Sequence, residues 1–384
     1  MSVPRITLKR GKARPLWAGH PWIFSGAIDR IDGDPDESGL AEVFDDQGQR
    51  IGTGTFNPEA RIAVRMLGNI SDGWLRRRVE AARALRKQWG LPTGDTTAYR
   101  LLNGEGDGTP GLICDIFGEM ASVQVTTASA ENWANELRDI LTERIVRIMV
   151  PEDSARMEGI APGDRLGRGD HEEHVELREH GIEWRLKPGK GQKTGFYTDQ
   201  RDSRFKMRGL GAGKRVLDAY CYTGGFGLNA ARGGATEVVG CDSSGPAISV
   251  AAGTAKANGL GQTTYHKEDA IRYMRGIGEA TFDIVVIDPP KLARRRAGLD
   301  DAYKKYRAIN VEAMKHVEPG GILVSCSCSG LVDTEMFTRM LTDAAMHADR
   351  RLTLLELAGP GADHPTPLAF TEGRYLKTAF LRVY

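Results

Sequence analysis

The 384-residue chain is poor in several things, and each shortage narrows what it can be. No apolar run approaches the roughly 20 residues that a membrane-crossing helix needs, so no membrane partner is expected. The opening Met-Ser-Val-Pro-Arg does not have the pattern of a secretion signal. Only five cysteines occur, at 114, 221, 241, 326 and 328. They form no paired C-x-x-C pattern that would hold zinc, so no metal is expected. Without an export signal they are expected to stay reduced in the cytoplasm. The net charge is only +1, which removes the global basicity that advertises nucleic acid; any such surface must be local. There is no internal repeat and no low-complexity tract.

What remains is ordinary globular composition, 40% hydrophobic and 27% charged, over a length that suits two or three domains. Residues 1–28 carry Arg5, Lys9, Arg10, Lys12 and Arg14 and no acid, followed by His20-Pro-Trp-Ile-Phe24. Short β-like runs come next, at 41–44, 51–56 and 62–66, with Asp46-Gln-Gly-Gln as a turn. Residues 1–70 are therefore expected to form a small β-rich module. Its basic side chains beside Trp22 and Phe24 suit RNA through phosphate contacts and stacking, and equally suit a barrel core with a solvated basic edge. Residues 71–188 read as a second, α+β domain: a helix near 71–90, a hairpin of 112–117 and 121–125, a helix at 132–144 and a strand at 145–150. Residues 151–180 are polar and acidic, and the domain ends near Pro188-Gly189.

From Lys190 the pattern changes. Strands at 215–218, 237–241, 263–267, 282–287, 321–325, 351–356 and 375–383 alternate with helices that begin near Gly225, Pro246, Ala270, Ala302 and Thr334. Alternation of this kind gives a mostly parallel sheet covered on both faces. The last two strands have no helix between them, so the final one is expected to be antiparallel. Residues 189–384 are thus an α/β, Rossmann-like domain of seven strands.

Its first strand ends in Asp218 and runs into Ala-Tyr220-Cys-Tyr-Thr223-Gly224-Gly225-Phe226, a small glycine-bearing turn that opens a helix. Such a turn lets a ligand approach bare backbone. A second strand ends in Asp242, spaced to hydrogen-bond ribose hydroxyls. The fingerprint G-x-G-x-x-G is absent, an acid precedes the glycines, and no basic residue in the loop awaits a pyrophosphate. That combination favours S-adenosylmethionine, a nucleoside with a cationic centre, over NAD. Asp269, at the end of the third strand, either accepts from the adenine amine or caps the next helix. Upstream, Gly195-Phe196-Tyr-Thr-Asp199-Gln200-Arg201 suits a lid over the ligand, with a helix cap as the plain alternative.

The fourth strand delivers Asp288-Pro-Pro-Lys291 to the carboxyl edge of the sheet, where ligands bind in this architecture. The prolines remove two N–H donors, and Asp288 is suited to hold a flipped base on its Watson–Crick edge. The fifth strand ends Ser325-Cys326-Ser-Cys328-Ser-Gly330. Cys326 lies earlier and reads as packing; Cys328 lies further out and reads as a nucleophile. A thiolate suits one reaction above others. Sulfur added to C6 of a pyrimidine makes C5 nucleophilic enough to take a methyl group, while an acid near N3, here Asp288, stabilises the ring charge. The base that removes the C5 proton is not identified. Lys291, Arg294 and Arg295 form a basic loop beside this edge, suited to phosphate or simply solvated.

Together these motifs resemble the RlmI-like family of class I methyltransferases, which make 5-methylcytosine in bacterial large-subunit ribosomal RNA. The resemblance covers essentially the whole chain, including Glu172-Glu-His-Val-Glu176. It implies an N-terminal PUA RNA-binding domain, a central α/β domain, a Rossmann-like catalytic domain and Cys328 as the nucleophile. Lys291 stands where many RNA 5-methylcytosine enzymes carry a second cysteine after the Pro-Pro motif. Cofactor contacts are expected from Phe196, Gln200, Asp218, Tyr220, Thr223, Gly224, Gly225, Phe226, Asp242, Asp269 and Asp288. RNA contacts are expected from Lys9, Arg10, His20, Trp22, Lys291, Arg294 and Arg295. The expected partner is large-subunit ribosomal RNA, and a homodimer is left open. Two other readings stay in view: a methyltransferase acting on a purine or exocyclic amine without a thiol, and a non-catalytic RNA-binding assembly factor.

Overall fold

The computed structural model describes residues 3–33, 39–170, 174–186, 196–278, 281–293 and 295–384. Of the sequence features above, Glu172, Glu173, Pro188, Gly189, Lys190, Gly195 and Arg294 lie outside these residues. The chain divides into two compact units: 1–177 with 187–198 and 362–373, and 178–186 with 199–361 and 374–384. The expected stretches 1–70 and 71–188 thus fall largely into one unit, which also takes in a short segment from near the end of the chain.

The first unit holds two sheets. Six strands pair in the order Trp22–Phe24, Ile62–Gly68, Arg50–Phe56, Leu40–Phe44, Arg5–Leu8, Ile28–Asp32. Alternation puts Ile6, Leu8, Ala41, Val43 and Val64 into its core. Five strands form the second sheet, Gly163–Arg168, Ile145–Val150, Met120–Val125, Leu112–Phe117 and Ala98–Asn103, with helices Trp74–Gln88 and Ala128–Ile140 in its core cluster. Part of this is absent from the sequence reading: the strand Ala98–Asn103, and in the acidic stretch the helix Glu152–Glu158 and the strand Gly163–Arg168. The physical reason is visible at Glu158. Its buried carboxylate accepts from Arg65 Nη2 (2.7 Å), Asn57 Nδ2 (3.1 Å) and the Ala128 N–H (3.3 Å), so an acid that reads as solvated ties the N-terminal sheet to the rest of its unit.

The second unit is built on one seven-stranded sheet. Helix α1 (Arg201–Gly211) leads into β1 (Arg215–Ala219), α2 (Gly225–Arg232), β2 (Glu237–Asp242), α3 (Gly245–Ala257), β3 (Thr263–Lys267), α4 (Ala270–Gly276) and β4 (Phe282–Ile287). Then come α5 (Leu299–Lys315), β5 (Val317–Ser327), α6 (Thr334–His347), β6 (Leu352–Ala358) and β7 (Lys377–Val383). The order across the sheet is β3-β2-β1-β4-β5-β7-β6. The first five strands run parallel, and β7 is antiparallel to both β5 and β6, as expected. β1 and β4 sit at the centre and are buried on both faces, which is why Val216-Leu217 and Ile284-Val-Val-Ile287 are unbroken apolar runs rather than alternating ones. Met314, Phe337 and Met340 from α5 and α6 complete a core with Leu217, Val285, Ile287 and Leu323. The strand order reverses between β1 and β4, so the crevice at their carboxyl ends is the expected ligand position.

Candidate active site

The loop after β1 is held in an unfavourable shape. Tyr220 (φ +63°), Tyr222 (φ +49°) and Gly224 (φ +82°) all occupy the left-handed region, which costs a residue with a Cβ about 1–2 kcal/mol. Three bonds from backbone N–H groups, two to carbonyls and one to a carboxylate, enforce it. The Cys221 N–H donates to the Cys241 carbonyl (3.0 Å), the Gly224 N–H to the Cys221 carbonyl (2.8 Å), and the Tyr222 N–H to Asp242 Oδ2 (3.0 Å). Strain kept in place by surrounding contacts is typical of ligand sites.

Two of the glycine positions have distinct causes. Gly224 supplies the left-handed residue just before α2. At Gly227 a Cβ would lie 2.8 Å from Val238 Cγ1 and 3.1 Å from Asp218 Oδ2. Its bare backbone lets the N–H donate to Asp218 Oδ2 at 2.8 Å. The other oxygen, Asp218 Oδ1, is buried with no hydrogen-bond partner among the described residues. A buried carboxylate oxygen without a donor is costly, and a ligand group that donates or carries positive charge relieves it.

Asp242 is already engaged, accepting from Tyr222 through Oδ2 and from the Ser244 N–H through Oδ1 (2.8 Å). Each oxygen keeps a second lone pair, so the carboxylate is oriented by backbone while able to accept further. Asp269 caps α4 through Oδ1, which accepts from the Arg272 N–H at 2.9 Å. Thr223 and Phe226 are buried in the turn and the first turn of α2, and Tyr220 is half-buried. Phe196 belongs to the first unit, where its ring meets Phe117 edge-on, 6.3 Å between centroids.

At the end of β4, Asp288 accepts from Gln200 Nε2 at 3.3 Å, and Gln200 Oε1 in turn accepts from Thr378 Oγ1 at 2.9 Å. Tyr375 donates its hydroxyl to Asp199 Oδ2 at 2.7 Å, beside the same carboxyl. Burial pushes Asp288 up to about 7, with the Asp199 charge adding to the rise and Arg204 and Gln200 opposing it. Burial likewise raises Asp218 to about 7; its bond from Gly227 opposes this, and Asp288 and Asp242 add to it. A raised Asp218 suits a cationic ligand, whose charge favours its ionised form.

Cys326 in β5 and Cys328 just beyond it are placed very differently. Cys326 is 1% exposed, and burial holds its thiol well above the usual range. Cys328 lies just past the strand and is partly exposed, while Cys114, Cys221 and Cys241 are buried. The turn that carries Cys328 is pinned from several sides. Ser329 Oγ accepts from the Ala293 N–H (3.2 Å) and bonds the Tyr306 hydroxyl (2.9 Å), and the Ser329 carbonyl accepts from Lys377 Nζ (2.8 Å). Ala293 follows Asp288-Pro-Pro-Lys-Leu, so the loops bearing Asp288 and Cys328 are directly bonded. Ser329, Tyr306, Thr378 and Lys377 are absent from the sequence-derived set.

The residues singled out for RNA fall in both units. Lys9 and Arg10 are exposed, and Lys9 Nζ reaches the Gly26 carbonyl at 3.0 Å. Trp22 is half-buried, donates through Nε1 to Glu105 Oε1 (2.7 Å) and packs on Phe370 (4.5 Å between centroids). His20 Nε2 lies 3.3 Å from Glu372 Oε2. Both side chains are therefore committed within their own unit. Phe24 and Trp17 are the aromatic rings that the N-terminal module exposes among the described residues. Lys291 and Arg295 are exposed in the second unit.

Strand order, strained glycine turn and acidic strand ends define a class, the S-adenosylmethionine-dependent methyltransferases, and residues 155–356 match that family. Residues 6–69 match the PUA-like domain family. Over 99% of its length the chain is 36% identical to ribosomal RNA large subunit methyltransferase I of Shewanella denitrificans, covering 99% of that protein. The same protein of Photobacterium profundum is 38% identical, over 97% of each chain. A crystal structure of a methyltransferase complexed with SAH superposes with a TM-score of 0.85 at 19% identity, over 99% of this chain and 100% of that one. The chain belongs to the ribosomal RNA large subunit methyltransferase I family. Among the described residues no helix is long and apolar enough to cross a membrane.

Proposed function

We propose that the protein methylates C5 of a cytosine in large-subunit ribosomal RNA through a transient bond between Cys328 and C6. The observation that carries this reading is the bond from the Ala293 N–H to Ser329 Oγ, which ties the loop of a near-neutral Asp288 to the turn of the one partly exposed cysteine. The ribosomal target follows from the names of the relatives.

S-adenosylmethionine, when bound, supplies an electrophilic methyl group. Asp218, Asp242, Asp269 and the backbone of Tyr220–Gly225 would hold it. The unpartnered Asp218 Oδ1 and the glycine cradle fit such a ligand. The remaining work belongs to the side chains at the sheet edge. The Cys328 thiolate adds to C6 while the Asp288 carboxyl gives its proton to N3, so the C5–C6 electron pair becomes available at C5. After C5 is methylated it loses its proton to a base, the C5=C6 bond re-forms, the C6–S bond breaks to return the thiolate, and N3 gives its proton back to Asp288. A carboxyl near 7 is matched to that exchange at neutral pH. Cys326, buried and protonated, takes no part.

Residues 1–70 would present RNA, with phosphate contacts from Lys9 and Arg10 and stacking on the exposed Phe24; Lys291, Arg294 and Arg295 would meet phosphate beside the reacting base. Residues 71–188 link this module to the catalytic part, 189–384. The test is incubation with total RNA and a labelled methyl donor, followed by nucleoside identification. Label in 5-methylcytidine is expected. Label in a methylated purine or an N-methylated base would overturn the assignment.

A further inference from the structure

The turn that carries Cys328 rests on a buried cation that the reaction above does not use. Lys377 is the first residue of β7 and pairs directly across from Ser327. It is 3% exposed. Its Nζ donates to two neutral acceptors, the carbonyls of Ser329 and Tyr375, each at 2.8 Å. A buried ammonium bonded only to carbonyls is costly unless an opposite charge stands close.

Among the described residues, the charged and titratable groups that act on it are Cys328 after β5, Asp333 before α6 and Lys291 after β4. Lys291 is exposed and of like sign. Asp333 is exposed, and its Oδ1 accepts from the Met336 N–H at 2.8 Å as the cap of α6, so water and the helix end absorb most of its charge. Cys328 is the remaining group of this set that supplies a counter-charge, when its thiol is ionised. Tyr306 also faces this sulfur, but its hydroxyl is held by Ser329 Oγ.

We infer that Lys377 is the positioning residue for the nucleophile: it fixes the Ser327–Gly330 turn through the Ser329 carbonyl and holds Cys328 as a thiolate. When the ion pair forms, the S–H bond breaks and the proton passes to the Lys377 amine, so charge is conserved within the pair. Burial lowers Lys377 to about 8, Cys328 and Asp333 oppose that shift, and Lys291 adds to it. Adding the sulfur to carbon removes the counter-charge, which favours return of the thiolate once the methyl group is in place. This rests on the reading of Cys328 as nucleophile.

The test uses the full chain and follows iodoacetamide labelling of the Cys328 peptide by mass spectrometry from pH 5.5 to 10. The other four cysteines are buried, and Cys328→Ala supplies the blank. Wild-type protein should label with a midpoint about one unit or more below the ordinary thiol value of roughly 8.5. Lys377→Met should move that midpoint up by about one unit and slow labelling at pH 7 about tenfold, and Lys377→Arg should restore the low midpoint. S-adenosylmethionine binding heat shows whether each variant is folded. A wild-type midpoint at or above 8.5 overturns the inference without any variant. An unchanged midpoint in a folded Lys377→Met protein overturns it too. Undiminished turnover by Cys328→Ala would instead remove the nucleophile reading and leave the labelling result standing, so the two failures are distinguishable.

Discussion

Gln200 Nε2 lies 3.3 Å from Asp288 Oδ2, while Gln200 Oε1 takes a bond from Thr378 Oγ1. One amide thus joins the residue before α1, the exit of the central strand β4 and the start of β7. Its N–H donates to the charged form of Asp288 and so opposes the rise caused by burial. Gln200→Leu removes that donor. Asp288 should then hold its proton to higher pH. If a protonated Asp288 is required, the alkaline limb of kcat against pH should move upward, with a loss of about tenfold at the optimum from the lost orientation. A pH–rate series on both proteins checks this; an alkaline limb that stays in place would separate Gln200 from the titration.

The cysteines give the sharpest contrast. Cys328→Ala should abolish methyl transfer while S-adenosylmethionine affinity is kept, since the proposed mechanism bonds the sulfur to the base and gives it no contact with the cofactor. Cys326→Ala should retain turnover and lose about 1 kcal/mol or less of stability, because a buried thiol acts as a small apolar group. Single-turnover assays and thermal melting distinguish the two.

Asp218 links ligand binding to protons. Its carboxyl sits at about 7 when folded, against an ordinary value of 3.8. The native chain therefore binds more protons than the unfolded chain between those values. This group's contribution makes stability fall as pH rises through that window and level off above it. Asp218→Asn removes the contribution, so melting curves should drop less from pH 5 to pH 8 than in the wild type.

The raised carboxyl of Asp218 should release its proton when a sulfonium ligand binds. Calorimetry of S-adenosylmethionine at pH 7, in buffers of different ionisation enthalpy, should show net proton release from Asp218, fading by pH 9, where it is already ionised. Buffer-independent heat at pH 7 would exclude this coupling.

Gly227→Ala places a methyl group 2.8 Å from Val238 Cγ1 and 3.1 Å from Asp218 Oδ2. Overpacking of this kind costs about 1–3 kcal/mol, and here it also pushes the N–H away from Asp218. Lower melting temperature together with weaker S-adenosylmethionine binding is expected, where a change at an exposed α3 glycine such as Gly253, with open space around it, should leave binding unaltered.

The sequence alone determined the catalytic half to a large degree. Parallel strands buried on both faces must be continuous apolar runs, so β1, β2, β4 and β5 stand out, and the acids and glycines near their ends mark the carboxyl edge. The residue-for-residue match of β4 reflects that regularity, while the polar edge strand β3 (Thr263–Lys267) was placed by its spacing between helices. Tertiary structure decided what depends on partners distant in the chain. Glu158 reads as one more solvated acid until Arg65 and Asn57 reach it. Trp22 reads equally as a stacking platform or a core ring until Glu105 and Phe370 are seen against it. Cys326 and Cys328 are two letters apart, and only the end of β5 separates a buried thiol from a partly exposed one. Lys377 gains its meaning from lying across from Ser327, a pairing set by the register of β5 and β7, because strands far apart in sequence are aligned by the sheet and by nothing local.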